Sequence, residues 1–266
     1  MWYDCIVRSK PIYGTNMSPT SELYAALEKA FDHFNASLFE GKLPRVIFSI
    51  QRQQSVMGYY SHKRWASQSN KYRHEIAINP SYVGRSSLIE LFQTLVHEMT
   101  HEWQFKFGKP SRRSYHNRQF ANKMKAIGLM PSTTGDPGGA TTGEKMNDYA
   151  ISNGKFIREC ANLVSKKSFQ LPWVDRYARV RNMEVESYDV PTSGSEEGDR
   201  LGIRESIFDH LTSLMSDLYS ENTFVDNQAS AAKKAKVRYS CEGCGINLWG
   251  KSGLDISCNS CELTLV

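Results

Sequence analysis

The stretch LVHEMTHEWQ, residues 95–104, places two histidines four positions apart with a glutamate directly after the first. On an α-helix, residues i and i+4 lie on one face, with Cβ atoms about 5–6 Å apart. Two imidazoles at that spacing can bind one zinc ion. Glu98, turned about 100° from His97, can polarise a water on that metal without being a ligand. The same pattern also occurs in amphipathic helices with surface histidines, so its surroundings decide between a catalytic site and a solvated helix face.

The residues around the motif predict a long, capped helix over about 87–106. Ser87 and Glu90 form an S-x-x-E capping box, and Gly108 with Pro110 predicts the end of the helix. Because the motif lies within an apolar stretch, its histidines are expected to face the interior, which favours the metal site. The apolar positions recur at helical spacing: Leu88, Leu91, Phe92, Leu95, Val96, Met99 and Trp103.

A catalytic zinc needs a third protein ligand and an open coordination position. His116 is the best candidate because it begins a predicted helix, about 117–127, whose apolar face must pack inward. The other candidates are His62 and His74, which flank the connection between two predicted strands, Glu102, which points off the ligand face, and Glu90, which is about two turns before His97.

The four cysteines near the carboxyl end form the pattern C-x2-C-x13-C-x2-C: Cys241, Cys244, Cys258 and Cys261. This spacing is typical of a structural zinc ribbon, in which each C-x-x-C knuckle supplies two thiolates. A module of about 30 residues cannot bury enough core unaided, so the metal would be its main stabilising element. Free thiols or two disulfides are the alternative, and Cys5 and Cys160 are interpreted as isolated residues.

The remaining patterns predict helices packed on a small sheet, followed by an extension. The predicted domains are residues 18–131, an extension and linker over 132–236, and a ribbon over 237–266. Further predicted elements are a helix over 18–39, strands at 45–50, 58–65 and 74–80, a surface loop over 132–154, a helix over 155–165, a linker at 191–199 and a helix over 203–220.

The chain of 266 residues is 40% hydrophobic and carries a net charge of +5, so it can bury a sizeable core and permits contact with nucleic acid. It has no apolar run of about 20 residues and no signal-peptide pattern at its start, so we expect a cytoplasmic protein without membrane partners. A basic stretch over 105–125 contains no acidic residue. It is interpreted either as a solvated face or as a nucleic-acid or substrate surface formed by Lys106, Lys109, Arg112, Arg113 and Arg118.

Four segments together, GYYSHKRW, HEIAINP, LVHEMTHEWQ and YHNRQFANKMKAIGL, resemble the SprT-like (Spartan) metalloprotease domain. The terminal YSCEGCGINLWGKSGLDISCNSCELTL resembles the zinc ribbon that follows this domain in many bacterial relatives. The resemblance covers roughly residues 20–131 and 237–266. One departure is Asn117, where the family often has glycine after the third histidine.

The resemblance implies an α+β, zincin-like protease domain with His97, His101 and His116 as zinc ligands and Glu98 as catalytic base. With the ribbon, the chain would bind two zinc ions, one catalytic and one structural. Characterised relatives degrade proteins crosslinked to DNA and are activated by DNA, so a protein substrate and a DNA partner are expected. The alternative is a non-enzymatic zinc protein that binds nucleic acid or a partner. A transcription-linked regulator ranks lower, because no helix-turn-helix pattern is visible.

Overall fold

Helices pack on one small sheet in the larger of two compact units, residues 1–224, while residues 225–266 form the second unit. The computed structural model describes residues 17–166, 168–179, 205–219, 223–225 and 236–266. This mixture of helices and small sheets confirms the predicted α+β class. The first unit contains α1 (Pro19–Leu38), β1 (Ile47–Ile50), β2 (Gly58–Ala66), β3 (Tyr72–Ile78), α2 (Pro80–Val83), α3 (Leu88–Phe107), α4 (Arg118–Ile127), β4 (Leu129–Ser132), β5 (Asn147–Ala150), α5 (Lys155–Ser165), α6 (Glu205–Thr212) and α7 (Met215–Leu218).

The main sheet has the strand order β1-β3-β2, with β1 parallel and β2 antiparallel to β3. Strand β2 therefore lies at an edge of this sheet among the described residues. Its register with β3 shifts between Ser61 and Trp65, which marks a bulge. Because β1 pairs with β3 only over Glu75–Ile78, the outer half of the β2–β3 hairpin is a two-stranded ribbon.

Helix α3 is the centre of the first unit and matches the predicted motif helix closely. Its capping box is formed in full: the Ser87 hydroxyl accepts from the Glu90 amide, and the Glu90 carboxylate accepts from the Ser87 amide at 2.7 Å. The helix ends at Gly108, as predicted, and packs against α1, α4, α5 and β2. The two turns of α3 that carry His97 and His101 are therefore packed between several other elements.

Helix α4 is tied to α3 through Asn117, which caps its amino terminus by accepting from the Phe120 amide at 3.1 Å. The same Asn117 oxygen accepts from the Gln104 side chain of α3 at 2.8 Å. Asparagine thus serves both as a cap and as a link between the two helices, which holds the start of α4 beside α3. At the other end, Gly128 has a φ of 97° and turns the chain into β4.

The predicted surface loop over 132–154 contains a strand, β5, which pairs antiparallel with β4. The prediction was wrong here because four residues, NDYA, carry no periodic signal and gain their structure from pairing with β4. The helix predicted over 155–165 is present as α5. The two strands and α5 place this segment against the first unit's core and not away from it.

The hydrophobic core continues well beyond residue 131. Phe92 of α3 packs edge-on against Phe34 of α1 at a centroid separation of 5.3 Å and against Phe169 at 5.1 Å. Phe156 of α5 stacks on Phe34 at 6.1 Å, and Cys160 is completely buried. Residues after the resemblance region therefore complete the packing around the motif helix.

The helix predicted over 203–220 is two short helices, α6 and α7, separated near Leu214. Leu214 is extended and forms a bridge to Ser87, and the Met215 amide donates to the Ser86 carbonyl at 2.8 Å. This tertiary contact with the start of α3 breaks the helix that the apolar stripe predicts. The predicted linker at 191–199 and Cys5 lie outside the described residues.

The second unit consists of two small hairpins, β6 (Val237–Ser240) with β7 (Asn247–Gly250) and β8 (Ser257–Cys258) with β9 (Leu263–Thr264). Cys241 and Cys244 follow β6, Cys258 ends β8, and Cys261 lies in the turn between β8 and β9. Within the part of this unit that the structure describes, 225 and 236–266, the buried core has three members, Tyr239, Cys241 and Leu265. So small a core agrees with the prediction that the cysteines stabilise this unit.

Candidate metal centre

Two histidines of α3 and one that precedes α4 converge on one point. The Nε2 atom of His116, two residues before α4, lies 3.1 Å from Nε2 of His97 and 3.1 Å from Nε2 of His101, both on α3. The i, i+4 spacing places His97 and His101 on one face of α3, and the Asn117 link places His116 opposite them. The structure thus brings together the three histidines that the sequence singled out.

This cluster suits a zinc ion. Tetrahedral zinc with Zn–N distances of about 2.0–2.1 Å separates its nitrogen ligands by about 3.3–3.4 Å, close to the observed separations. His97 donates from Nδ1 to Asp148 at 2.9 Å, and His116 donates from Nδ1 to the Gly143 carbonyl at 3.2 Å. Both Nε2 atoms therefore present lone pairs to each other, an arrangement that a shared cation stabilises.

The outer contacts of the cluster come from the β4–β5 hairpin. Asp148, in β5, is held by Gln93 of α3 as well as by His97. Gly143 also exchanges two backbone hydrogen bonds with His116, at 2.7 and 3.1 Å. Sequence reasoning missed both residues, since neither belongs to a motif. Asp148 would have been among the candidates in a search for carboxylates that could accept a hydrogen bond from a metal-binding histidine.

Glu98 is buried beside the cluster and is 8% exposed. Its carboxylate accepts a hydrogen bond from the backbone amide of Tyr60 in β2. Burial raises the pKa of Glu98 to about 7, against the opposing effect of the His97 charge. A carboxylate with this pKa can take up and release a proton at neutral pH.

The pKa values of the three histidines in the cluster are shifted in different directions. Burial and the charges of the other two histidines lower the pKa of His101 well below its usual value, and burial with the His97 charge lowers the pKa of His116 to about 4. Burial alone would lower the pKa of His97 too, but the hydrogen bond to Asp148 and the negative charges of Glu98 and Asp148 together outweigh burial and raise that pKa. His101 and His116 are therefore neutral near pH 7, the state in which imidazole binds a metal.

The region that carries these histidines matches the SprT-like family over residues 27–137. A similar protein is an uncharacterized protein in the mucB 3' region of Salmonella typhimurium. It is 39% identical over 54 residues, which are 20% of this chain and 73% of that protein. The chain belongs to the SprT-like family. No solved structure matches it.

The other candidate ligands of the SprT-like segment do not belong to the group of three histidines. His74 and Glu102 pair with each other at 2.5 Å, and Tyr60 bonds to His74 through its hydroxyl. His62 stacks on Phe105 with ring centroids 3.8 Å apart, and Glu90 belongs to the capping box. Tyr60 also stacks on His101 with ring centroids 6.0 Å apart, so it connects the pair of His74 and Glu102 to the histidine cluster.

The four cysteines after the SprT-like segment form the second group able to hold a metal, with ligand atoms within 4.8 Å of one another. The Cys244 and Cys258 sulfurs are 3.7 Å apart. Tetrahedral zinc with Zn–S bonds of about 2.3 Å separates its sulfurs by about 3.7–3.8 Å, so this group also fits zinc. All four positions would be filled by protein, which leaves no open position for catalysis.

The basic residues singled out between α3 and α4 lie on the surface of the SprT-like segment. Lys106, Lys109, Arg113 and Arg118 are exposed. Arg112 forms a salt bridge with Glu144 and lies over the Tyr115 ring at 5.2 Å. Within the described residues, no helix is both long and apolar enough to cross a bilayer.

Proposed function

We propose that this SprT-like protein is a zinc-dependent endopeptidase. The observation that carries the proposal is the convergence of three histidines beside the buried Glu98, with Nε2 of His116 lying 3.1 Å from Nε2 of both His97 and His101. His97, His101 and His116 would hold the ion, and the bound zinc would supply Lewis-acid activation of a water molecule. Three protein ligands leave a fourth position for water or substrate.

Glu98 would act as the general base. With a pKa of about 7, its carboxylate can accept the proton of the attacking water and then donate it to the leaving amine. The Tyr60 amide orients the carboxylate from the side of β2. Asp148 and the Gly143 carbonyl fix the Nδ1 protons of His97 and His116, so that Nε2 faces the metal in both rings.

An extended polypeptide is the substrate shape that the site favours. Strand β2 is an edge strand, and its Tyr60 amide points away from β3 towards Glu98. A peptide that adds to the outer edge of β2 would therefore run past Glu98 and the three histidines. Main-chain pairing of this kind binds many sequences, which suits a protease of broad specificity.

We infer further that the protein substrates are bound or crosslinked to DNA. The support is the resemblance to relatives with this activity, together with the exposed cations between α3 and α4. The cysteine unit adds Trp249, which is 63% exposed and lies opposite Arg238 in the β6–β7 hairpin. An aromatic ring beside a guanidinium suits unpaired bases and phosphates.

The test is cleavage of a DNA-bound protein by the wild type and by the Glu98→Gln variant, each with and without DNA. Glutamine keeps the shape of the side chain but cannot act as a base, so we expect metal content to stay constant and cleavage to be lost. Equal cleavage by the two proteins would remove Glu98 from the mechanism. Equal cleavage with and without DNA would remove the DNA requirement only.

A non-enzymatic zinc protein is the competing proposal, and metal content separates the two in part. We expect two zinc ions per chain, one for each ligand group, and one in a His97→Ala/His101→Ala double variant. A wild-type count of one, lost on substitution of the cysteines, would exclude the protease. Two ions without peptidase activity on any protein, free or DNA-bound, would favour the binding role.

A further inference from the structure

The β2–β3 hairpin extends past the main sheet as an arm. We define this arm as residues 62–73, all of which are exposed. Strand β1 does not reach it, and the two arm strands pair only with each other, through Trp65 with Arg73 and Ala66 with Tyr72. The arm thus buries little and offers both of its faces to solvent.

The arm concentrates positive charge. It carries Lys63, Arg64, Lys71 and Arg73 and has no acidic residue. The whole chain has 33 basic and 28 acidic residues, so without these four cations it is within one charge of neutrality. Within the described residues, none of the four takes part in a salt bridge, which leaves their charges available to a partner.

Two large aromatic rings lie among these cations. Trp65 is 44% exposed and Tyr72 is 52% exposed, on opposite faces of the arm. The Lys63 ammonium lies 6.0 Å from the centre of the Tyr72 ring. A single surface aromatic is common, but a two-stranded ribbon with one exposed ring on each face and four cations suits flat, anionic groups on both faces.

We propose that the arm binds single-stranded DNA. Unpaired bases would stack on Trp65 on one face of the arm and on Tyr72 on the other, while the phosphates of the strand that passes around the arm contact its cations. Paired bases keep their faces inside the duplex, so the exposed rings favour single strands. The inference rests on the proposed function for its choice of DNA as partner, and it adds a binding surface distinct from the basic residues between α3 and α4.

The arm is continuous with the candidate metal centre. Its first residue, His62, stacks on Phe105 of α3, one turn after His101. Tyr60, two residues earlier in the same strand, contacts both His101 and Glu98. DNA bound to the arm would therefore lie at one end of the β2 edge to which the proposed peptide substrate adds. A protein attached to that DNA would then be close to Glu98.

The test measures binding of a fluorescent oligothymidylate of about 20 nucleotides to the full chain carrying Glu98→Gln, so that proteolysis plays no part. We expect Trp65→Ala and Tyr72→Ala each to weaken binding about tenfold, and Trp65→Phe to retain most of the affinity. The double variant Lys63→Gln/Arg64→Gln should depend less on salt. The slope of log affinity against log salt concentration should decrease in magnitude by about 0.7 for each phosphate that the arm no longer neutralises. Tyr177→Ala, which removes a ring of similar exposure outside the arm, is the matched control.

Unchanged affinity in the Trp65→Ala and Tyr72→Ala variants would overturn the proposal, as would tighter binding to a duplex of the same length. Preferential binding to phosphatidylserine vesicles would overturn it as well. These outcomes test only the proposal about the arm. A protein that binds the oligonucleotide through Trp65 and Tyr72 but cleaves no substrate would refute the proposed protease activity and still support DNA binding by the arm.

Discussion

Asp148 accepts a hydrogen bond from Nδ1 of His97 at 2.9 Å, although 51 residues separate the two along the chain. The contact joins β5 to α3 and fixes the tautomer that directs the other ring nitrogen of His97 to the candidate metal. The β4–β5 hairpin is thus a structural part of the candidate metal centre.

Replacement of Asp148 by asparagine should weaken zinc binding at the histidine site about 10- to 100-fold, because an amide oxygen polarises His97 less than a carboxylate does. Competition with a chelator measures the affinity, and the cobalt-substituted protein reports the ligand field independently of activity. Asp136→Asn, an exposed change in the same hairpin connection, should leave both unchanged. Equal zinc affinity in the Asp148 and Asp136 variants would contradict the role given to Asp148.

Removal of His74 should destabilise the first unit. Glu102 is 1% exposed and bonds to His74 at 2.5 Å, so His74→Ala leaves a buried carboxylate short of a donor, at a cost of about 1–3 kcal/mol. Thermal and denaturant unfolding of the zinc-loaded protein measure the loss. His62→Ala changes an exposed neighbouring residue and should lower the free energy of unfolding much less. A double variant, His74→Ala with Glu102→Gln, should recover part of the stability that His74→Ala loses.

Phe156→Ala tests whether the segment after residue 137 belongs to the core around the motif helix. Phe156 is fully buried against Phe34, so the substitution should cost about 3–5 kcal/mol of unfolding free energy. Phe107→Ala removes the same ring from a position that is 47% exposed and should cost under about 0.5 kcal/mol. If both variants unfold at the same denaturant concentration, α5 is not part of the cooperative core.

Acid sensitivity should depend in part on His210. Burial lowers its pKa in the folded chain, so the unfolded chain takes up the proton first as the pH falls. Stability linked to this group is therefore complete above the unfolded pKa of about 6.5 and decreases as the pH falls towards the lowered folded pKa. Unfolding free energies at pH 7 and pH 5 should differ less in His210→Gln than in the wild type, and an equal difference in the two proteins would contradict the role given to His210.

Cys258→Ser should remove the structure of the second unit without affecting the first. Among the described residues of 225–266 the buried core has three members, so we expect a bound metal to be the main source of this unit's stability. We expect the zinc count to fall by one and limited proteolysis to cut within the cysteine unit. A cysteine unit that resists protease after loss of its zinc would show that its core suffices alone.

The motif helix was predictable almost to the residue, because the capping box, the apolar spacing and Gly108 are all local signals. His116 was predictable as well, since the apolar face of α4 had to pack inward. Asp148 and Gly143 were not, because their positions depend on a hairpin whose strands carry no periodic pattern. The break at Leu214 escaped prediction for a similar reason: the partner that extends it, Ser87, lies far away in the sequence.

The charged arm also bears on how copies of this chain avoid one another. An open strand edge is a template for sheet growth between molecules, and lysines or a bulge at such an edge oppose it. Strand β2 has both, in Lys63, Arg64 and the irregular register after Ser61, whereas Gly58–Ser61 carries neither. The strand is thus divided into an outer part that opposes pairing with a second copy and an inner part to which the proposed peptide substrate would add, so substitutions in the outer part would alter self-association without altering the proposed substrate edge.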